Sequence, residues 1–299
     1  MKVVIGGANG LIGSELGRAL RARGDEVVAL VRKPRGPGEV NWDGRSVPAG
    51  ALERADAAVN LSGANIGARR WSEPYKKEIV DSRVESTRAF VEAMRAARPR
   101  PRAFVNASAV GAYGGRGDEE LTEDSAPGGD FLAGVCKASE AQALRAEELG
   151  VRTVLLRTGV VLASHGGALK QMLPPFKAFV GGPIGNGKQW FPWIHLADEV
   201  GLILWALDGA VRGPLNAVAP APVRMKEFAQ ALGRALHRPA LFSVPALVLR
   251  LGLGEMAEVL LEGQRAVPRK ALKGGYRFRF PELPGALADL IGSASSSPD

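Results

Sequence analysis

Gly7, Gly10 and Gly13 recur at three-residue intervals in MKVVIGGANGLIGSELGRALRARG, a G-x-x-G-x-x-G spacing. Three residues without a β-carbon at that spacing let a backbone turn tightly, come close to a pyrophosphate and set a helix against a strand. A helix beginning at Leu11 and Ile12 points its free N–H groups and the positive end of its dipole at such phosphates. About twenty residues beyond the loop, where a dinucleotide site for NAD offers a carboxylate to the ribose 2′-OH, stand Arg32 and Lys33. Two cations with no acidic residue beside them match a 2′-phosphate, so NADP(H) is expected over NAD(H). The alternative is that both are solvated turn residues before Pro34.

These residues need a framework to hold them. Val3 to Ile5 form a β-branched run, LIGSELGRALRARG has helical periodicity with Gly24 as its stop, and EVVALV reads as a second strand. That is a βαβ unit. Further on, ADAAVNLSGAN contains an apolar strand, Ala58 to Leu61, that ends in small polar residues. Doubly wound sheets bind ligands at such strand ends, which makes Asn60, Leu61 and Ser62 candidates for the adenine and ribose side. Asn60 could equally cap a turn.

A chain of 299 residues suits one large α/β domain with a smaller appendage. Hydrophobic content of 46% and charged content of 23% predict an ordinary soluble protein. MKVVIGGANG reaches a strand and a glycine loop at once, without a basic-then-apolar leader, so the cytoplasm is the expected location. Cys136 has no cysteine to pair with, and His165, His195 and His237 lack metal-ligand spacing, so no metal is expected. VGLILWAL and VPALVLRLGLG are too short and too interrupted to span a membrane, and both read as core. The net charge of +8 is scattered through RKPRG, RPRPR and PRKALKGG without interleaved aromatics, which argues against nucleic acid and for an arginine-rich solvated surface.

The order of AFVNASAVGAYGG, LLRTGVVL and WFPWIHLADEVG resembles an extended short-chain dehydrogenase of the nucleotide-sugar epimerase type. RRWSEPYKKEIVDSRVEST, GGDFLAGVCKASE, GGPIGNGKQWFPWIHLAD and LLEGQRAVPRKAL narrow the resemblance to its atypical "epimerase family" subgroup, whose members are mostly of unassigned reaction. The resemblance runs from residue 1 to about 292. It implies a Rossmann-type doubly wound parallel sheet, residues 1–162 and about 190–215, with a smaller C-terminal α+β substrate domain, about 163–189 and 216–292, forming a lid. The tail SASSSPD, 293–299, is expected to be disordered. Carried over residue by residue, the resemblance implies that the glycine loop from Gly7 to Gly13, Arg32, Lys33, Asn60 and Leu61 hold NADP. It further implies that Glu78 and Arg83 face the cofactor, that Val160 lies near the nicotinamide, and that Ser108 orients a substrate oxygen. Plain alternatives are a helical ion pair for Glu78 with Arg83 and a turn cap for Ser108.

The short-chain dehydrogenases carry Y-x-x-x-K on a helix, with tyrosine passing the proton and lysine holding the cofactor ribose. Here the lysine is Lys137, but the tyrosine position is Ala133. An acid or base of this kind is commonly worth about 10²–10⁴ in rate. Either that chemistry is absent or another group supplies the proton. Tyr113, in GAYGG just past Ser108, is the nearest substitute by sequence. Glu140 offers Lys137 an i, i+3 bridge, and Cys136 reads as core. His195 reads as a hydrogen-bonded residue at a strand end, and Arg265, Lys270 and Lys273 as a solvated surface or as a basic face for an acidic substrate. Two functions stay open: an NADP(H)-dependent oxidoreductase or epimerase acting on an unidentified small molecule, and an NADP(H)-binding regulatory protein. Helix-mediated homodimers are common in the superfamily.

Overall fold

The computed structural model of the protein describes residues 1–292, so the expected disordered tail, 293–299, lies outside the described residues. The chain begins with β1 (Lys2–Gly6), α1 (Leu11–Ala22), β2 (Glu26–Val31), β3 (Glu39–Asn41) and β4 (Ala57–Asn60). It continues with α2 (Glu73–Ala96), β5 (Ala103–Ala109), β6 (Glu120–Leu121), α3 (Phe131–Leu144), β7 (Arg152–Thr158) and β8 (Val160–Leu162). Next come α4 (Gly167–Lys177), β9 (Trp190–Phe191), β10 (Trp193–His195), α5 (Leu196–Asp208), β11 (Gly213–Ala217), β12 (Val223–Arg224) and α6 (Met225–Leu236). The chain closes with α7 (Ala246–Leu253), α8 (Ala257–Leu261), β13 (Arg265–Ala266), α9 (Arg269–Lys273) and α10 (Leu283–Gly292).

Seven parallel strands form one sheet in the order β11-β7-β5-β4-β1-β2-β3. Successive strand residues point to opposite faces, and here both faces are covered. Val3, Ile5, Val59, Val105, Val154 and Leu156 bury against α1 and α5 on one side. Val4, Ala58, Phe104 and Leu155 bury on the other, with Phe90 and Met94 of α2. This explains why the strands read as continuous apolar runs. The strand order reverses between β1 and β4, and ligands of open α/β sheets bind where it does. The glycine loop leaves β1 at that point, and Leu61 and Ser62 leave β4 beside it.

A second core forms from the later half of the chain. Phe191, Trp193, Met225, Phe228, Leu232 and Leu287 bury together, with α10 against α6. VGLILWAL meets its expectation of core as part of α5, where Leu202 and Ile203 are fully buried. VPALVLRLGLG does not. It forms α7, no residue of which is buried, with Leu247 68% and Leu251 70% exposed. Its apolar composition marks an uncovered helix face, which length and hydrophobicity alone do not separate from a core helix. Asp198 fastens the segment before α10 to α5, its carboxylate accepting the backbone N–H of Arg279 at 2.7 Å and of Phe280 at 2.8 Å.

Candidate functional site

Two cavities open at the carboxyl ends of the central strands. The first, about 930 Å³, is bordered by the turn Gly7–Gly10, by Arg32 and Lys33 after β2, and by Leu61 and Ser62 after β4. Gly7 has φ +74°, and a β-carbon there would meet the Leu61 carbonyl oxygen at 2.8 Å. A β-carbon on Gly13 would lie 2.3 Å from the Gly7 carbonyl oxygen. The spacing therefore serves the close approach for which it was read. Gly10 caps α1 without a side-chain acceptor, so the first N–H groups of the helix, at Leu11, Ile12 and Gly13, keep their donors for a ligand. Leu11 turns its side chain toward Gly166 and Gly167.

The donor set fits a phosphorylated dinucleotide. Arg32, Lys33, Arg35, Arg45 and Lys77 all border the first cavity; Arg45 pairs with Glu85 and Lys77 with Asp81, which leaves Arg32, Lys33 and Arg35 as the cations without a carboxylate partner among the described residues. Ser62 borders it too, and its hydroxyl is buried with no partner among the described residues, a donor in want of an acceptor. Asn60 does not reach the cavity. Its amide nitrogen donates to Asn106 Oδ1 at 3.0 Å, and its oxygen accepts from the Ser62 N–H at 3.2 Å, so it sets the course of the loop from within. Glu78 borders the cavity and pairs with Arg69. Arg83 borders neither cavity: its guanidinium packs against Gly63 and donates to the Ile79 carbonyl at 3.1 Å, and burial lowers its pKa. The anticipated Glu78–Arg83 ion pair is absent, because Glu78 lies with Arg69.

The second cavity, about 410 Å³, lies beyond the ends of β5 and β7. Thr158, Gly159 and Val160 form its floor, with Val110 and Gly111 from the turn after β5. Phe131 and Leu132, from the first turn of α3, close one side. Asp130 caps that helix, accepting the Ala133 N–H at 2.8 Å.

Ser108 ends β5 and donates to Glu140 Oε1 at 2.6 Å, so it is neither a turn cap nor a free hydroxyl. Glu140 in turn receives Arg157 through two hydrogen bonds, Nε to Oε1 at 2.9 Å and Nη2 to Oε2 at 2.8 Å. Burial works against the charge of Arg157, but the hydrogen bond and charge of Glu140 outweigh it and raise the guanidinium pKa. The expected i, i+3 bridge from Glu140 to Lys137 is therefore not formed. Lys137 is exposed, one helical turn beyond the buried Ala133.

Tyr113, expected as the substitute acid, lies away from both cavities. Its ring is fully buried with Leu121, Val218 and Ala266, 4.9 Å from the Arg157 guanidinium carbon. The hydroxyl donates to Asn216 Oδ1 at 2.6 Å, burial raises its pKa, and it borders neither cavity. The short helical turn after β5 folds the side chain inward instead of opening it toward the ligand.

Glu199 was not anticipated. It lies fully buried on α5, where burial pushes its carboxyl up to about 8. Thr158 donates to its Oε1 at 2.7 Å, while Oε2 has no partner among the described residues. The signal was present in LADEVGLILWAL, because position 199 falls on the same helical stripe as Leu202, Ile203 and Ala206. His195 caps α5, its Nδ1 accepting the Ala197 N–H at 3.0 Å, and stacks on Phe280, which agrees with a hydrogen-bonded structural role. Of the three basic residues read as a solvated or substrate-facing surface, Lys270 donates to the Arg212 carbonyl at 3.2 Å and Arg265 lies 5.2 Å from the Trp190 ring centre.

A doubly wound parallel sheet with a glycine turn at its switch point and a cation pair after β2 defines a dinucleotide-binding protein. Residues 3–218 match the NAD dependent epimerase/dehydratase family, and residues 244–290 match a domain of unknown function, DUF1731. The chain belongs to the NAD dependent epimerase/dehydratase family. It is 43% identical over 297 residues to the epimerase family protein SDR39U1 of Mus musculus, covering 97% of this chain and 100% of the mouse protein. The crystal structure of human epimerase family protein SDR39U1 (isoform 2) with NADPH superposes with a TM-score of 0.93 at 42% identity, covering 98% of this chain and 99% of the human one. UDP-glucuronic acid 4-epimerase from Bacillus cereus, solved with UDP-glucuronic acid and NAD, shares the fold alone, with a TM-score of 0.78 at 16% identity and 99% of each chain covered.

Proposed function

We propose that the protein is an NADP(H)-dependent oxidoreductase that moves a hydride to or from a carbonyl or carbinol carbon of a small molecule. The observation that carries this reading is the pair of cavities at one edge of the sheet: a cation-rich one over the glycine turn and an apolar one over Thr158–Val160. Bound there, NADP(H) supplies or accepts the hydride at its nicotinamide ring. Arg32 and Lys33 hold the 2′-phosphate, the first N–H groups of α1 and the Ser62 hydroxyl meet the phosphates and ribose, and Val160 borders the reacting end. Lys137, exposed on α3 and outside the lining of both cavities, would reach the second ribose of the bound cofactor only through the length of its side chain. The human relative crystallised with NADPH supports the choice of cofactor.

The test is single-turnover NADPH oxidation across a carbonyl panel, with Lys137→Met and Tyr113→Phe as the informative variants. Lys137→Met should lose turnover while keeping its thermal midpoint. Tyr113→Phe should keep turnover and lose about 1 kcal/mol of stability, the net worth of one hydrogen bond. Full turnover in Lys137→Met would remove that residue from the mechanism.

A second reading follows from Ala133 at the tyrosine position and from the sequestered Tyr113 hydroxyl. It is a protein that binds NADP(H) and signals its redox state to a partner without turning anything over. Reproducible NADPH oxidation that depends on an added carbonyl compound would count against it.

A further inference from the structure

The lining of the second cavity restricts what it can take. Trp71 packs edge-on against Phe131 at 5.1 Å to form one wall, and Trp190 and Phe191 form another. Met172 and Met225 fill between them, flexible side chains that fit irregular apolar guests. Four carboxylates border the same space, Asp130, Glu255, Glu258 and Glu262, and among the described residues no lysine, arginine or histidine does. Three neighbouring cations are already held, while the Arg70 guanidinium, packed at Gly254 beside Glu255, has no carboxylate partner among the described residues. Lys76 pairs with Glu255, Arg250 with Glu258 at 2.8 Å, and Arg224, lying on the Trp190 ring, pairs with Asp118 at 2.8 Å.

Of the helix starts that border this cavity, that of α3 is closed to anions by the Asp130 carboxylate on the Ala133 N–H, and at that of α6 the N–H groups of Met225 and Lys226 are taken by the carbonyls of Gln189 and Gly187 at 2.9 Å, while α4, which reaches the cavity at Ala168, starts without a side-chain cap. A diphosphate entering here would leave water and meet four carboxylates with no lysine, arginine or histidine on the lining, which is unfavourable. The first cavity has as many carboxylates, Asp43, Glu78, Asp81 and Glu85, and differs in the five cations that stand among them.

We propose that the second cavity takes an uncharged carbonyl or carbinol compound with an aromatic or acyl body, and that it refuses nucleoside diphosphates. The cavity volume of about 410 Å³ is that of a small-ligand pocket. This rests on the hydride-transfer reading for the word carbonyl, but the charge argument concerns binding alone. The protein thus keeps the fold of sugar-nucleotide enzymes while its substrate pocket selects against the sugar nucleotide.

The experiment is ligand binding to the full chain saturated with NADP⁺, followed by saturation-transfer NMR. 1-Tetralone and 2-nonanone are the uncharged probes, and UDP-glucose and UDP-glucuronic acid the charged ones. Saturable binding is expected for the uncharged probes and none for the UDP sugars. Met172→Trp, which fills the cavity, should weaken the uncharged probes by at least about tenfold. Glu258→Lys with Glu262→Lys should begin to admit UDP-glucose. Saturable binding of either UDP sugar to the wild type, removed by Met172→Trp, would overturn the proposal, as would failure of both uncharged probes to bind. NADPH fluorescence read on the same protein reports the cofactor separately, so a failure of the hydride-transfer reading would appear there and not in the probe comparison.

Discussion

Arg157 and Glu140 meet through two hydrogen bonds of 2.9 and 2.8 Å in the protein interior, with 7% and 10% of their side chains exposed. The pair joins β7 to α3 directly behind Ser108. It fixes the helix that carries Lys137 against the strand that ends at Thr158, so the two sides of the second cavity share one anchor.

Removing one partner leaves an uncompensated buried charge. Arg157→Leu should therefore cost about 3–5 kcal/mol in urea denaturation. The double variant Arg157→Leu with Glu140→Leu should recover most of that loss, since an apolar replacement of both partners is commonly neutral. If the single variant lost less than about 1 kcal/mol, the pair would be behaving as a solvated surface bridge.

The proposed role of Arg32 is to set the choice between NADP(H) and NAD(H). Thermal midpoints measured with NADP⁺, NADPH, NAD⁺ and NADH should rise for the phosphorylated pair only. Ligand at about 100 times its dissociation constant adds roughly 2.7 kcal/mol, which moves a midpoint by several degrees in a chain of this size. In Arg32→Asp that response should vanish. No response to any of the four would mean that the glycine turn does not bind dinucleotides.

Glu199 gives stability a pH dependence. Its folded pKa of about 8 lies above its ordinary value because burial disfavours the charged form. From about the ordinary carboxylate pKa up to about 8, the unfolded chain has released a proton that the folded chain retains. The contribution of this group is therefore fully present below the ordinary value and is lost as pH rises to about 8. The denaturation midpoint should fall across that window in the wild type and fall less in Glu199→Gln. Parallel curves for the two proteins would show that Glu199 is ionised in the fold.

Local signals carried most of the dinucleotide half. β1, the glycine turn, α1 and β2 lie within one continuous stretch, and each is set by its own β-branched runs, periodicity and glycines. The side-chain partners were not legible, because they are chosen across the fold. Glu140 prefers Arg157, 17 residues away on a neighbouring strand, to Lys137 on its own helix. Tyr113 finds Asn216, 103 residues on, and turns away from the ligand. α7 misled for a different reason: an apolar helix reads the same whether or not the fold covers it. The carboxylates of the second cavity come from the cap of α3, the turn before α8, α8 and the residue after it, and only the folded chain brings them around one space.

The clamp that Asp198 makes on the backbone of Arg279 and Phe280 has a mechanical meaning. α5 belongs to the nucleotide core through Leu202 and Ile203, and the clamp ties to it the segment that continues into α10, whose Leu287 belongs to the second core. The two cores are therefore stitched along a common spine. The stretch outside both cores is Ala246 to Leu261, where α7 has no buried residue and α8 only Ala257. Glu255, Glu258, Val259 and Leu260 of that stretch line the apolar cavity, so its wall on that side is a thin surface layer and not part of either core.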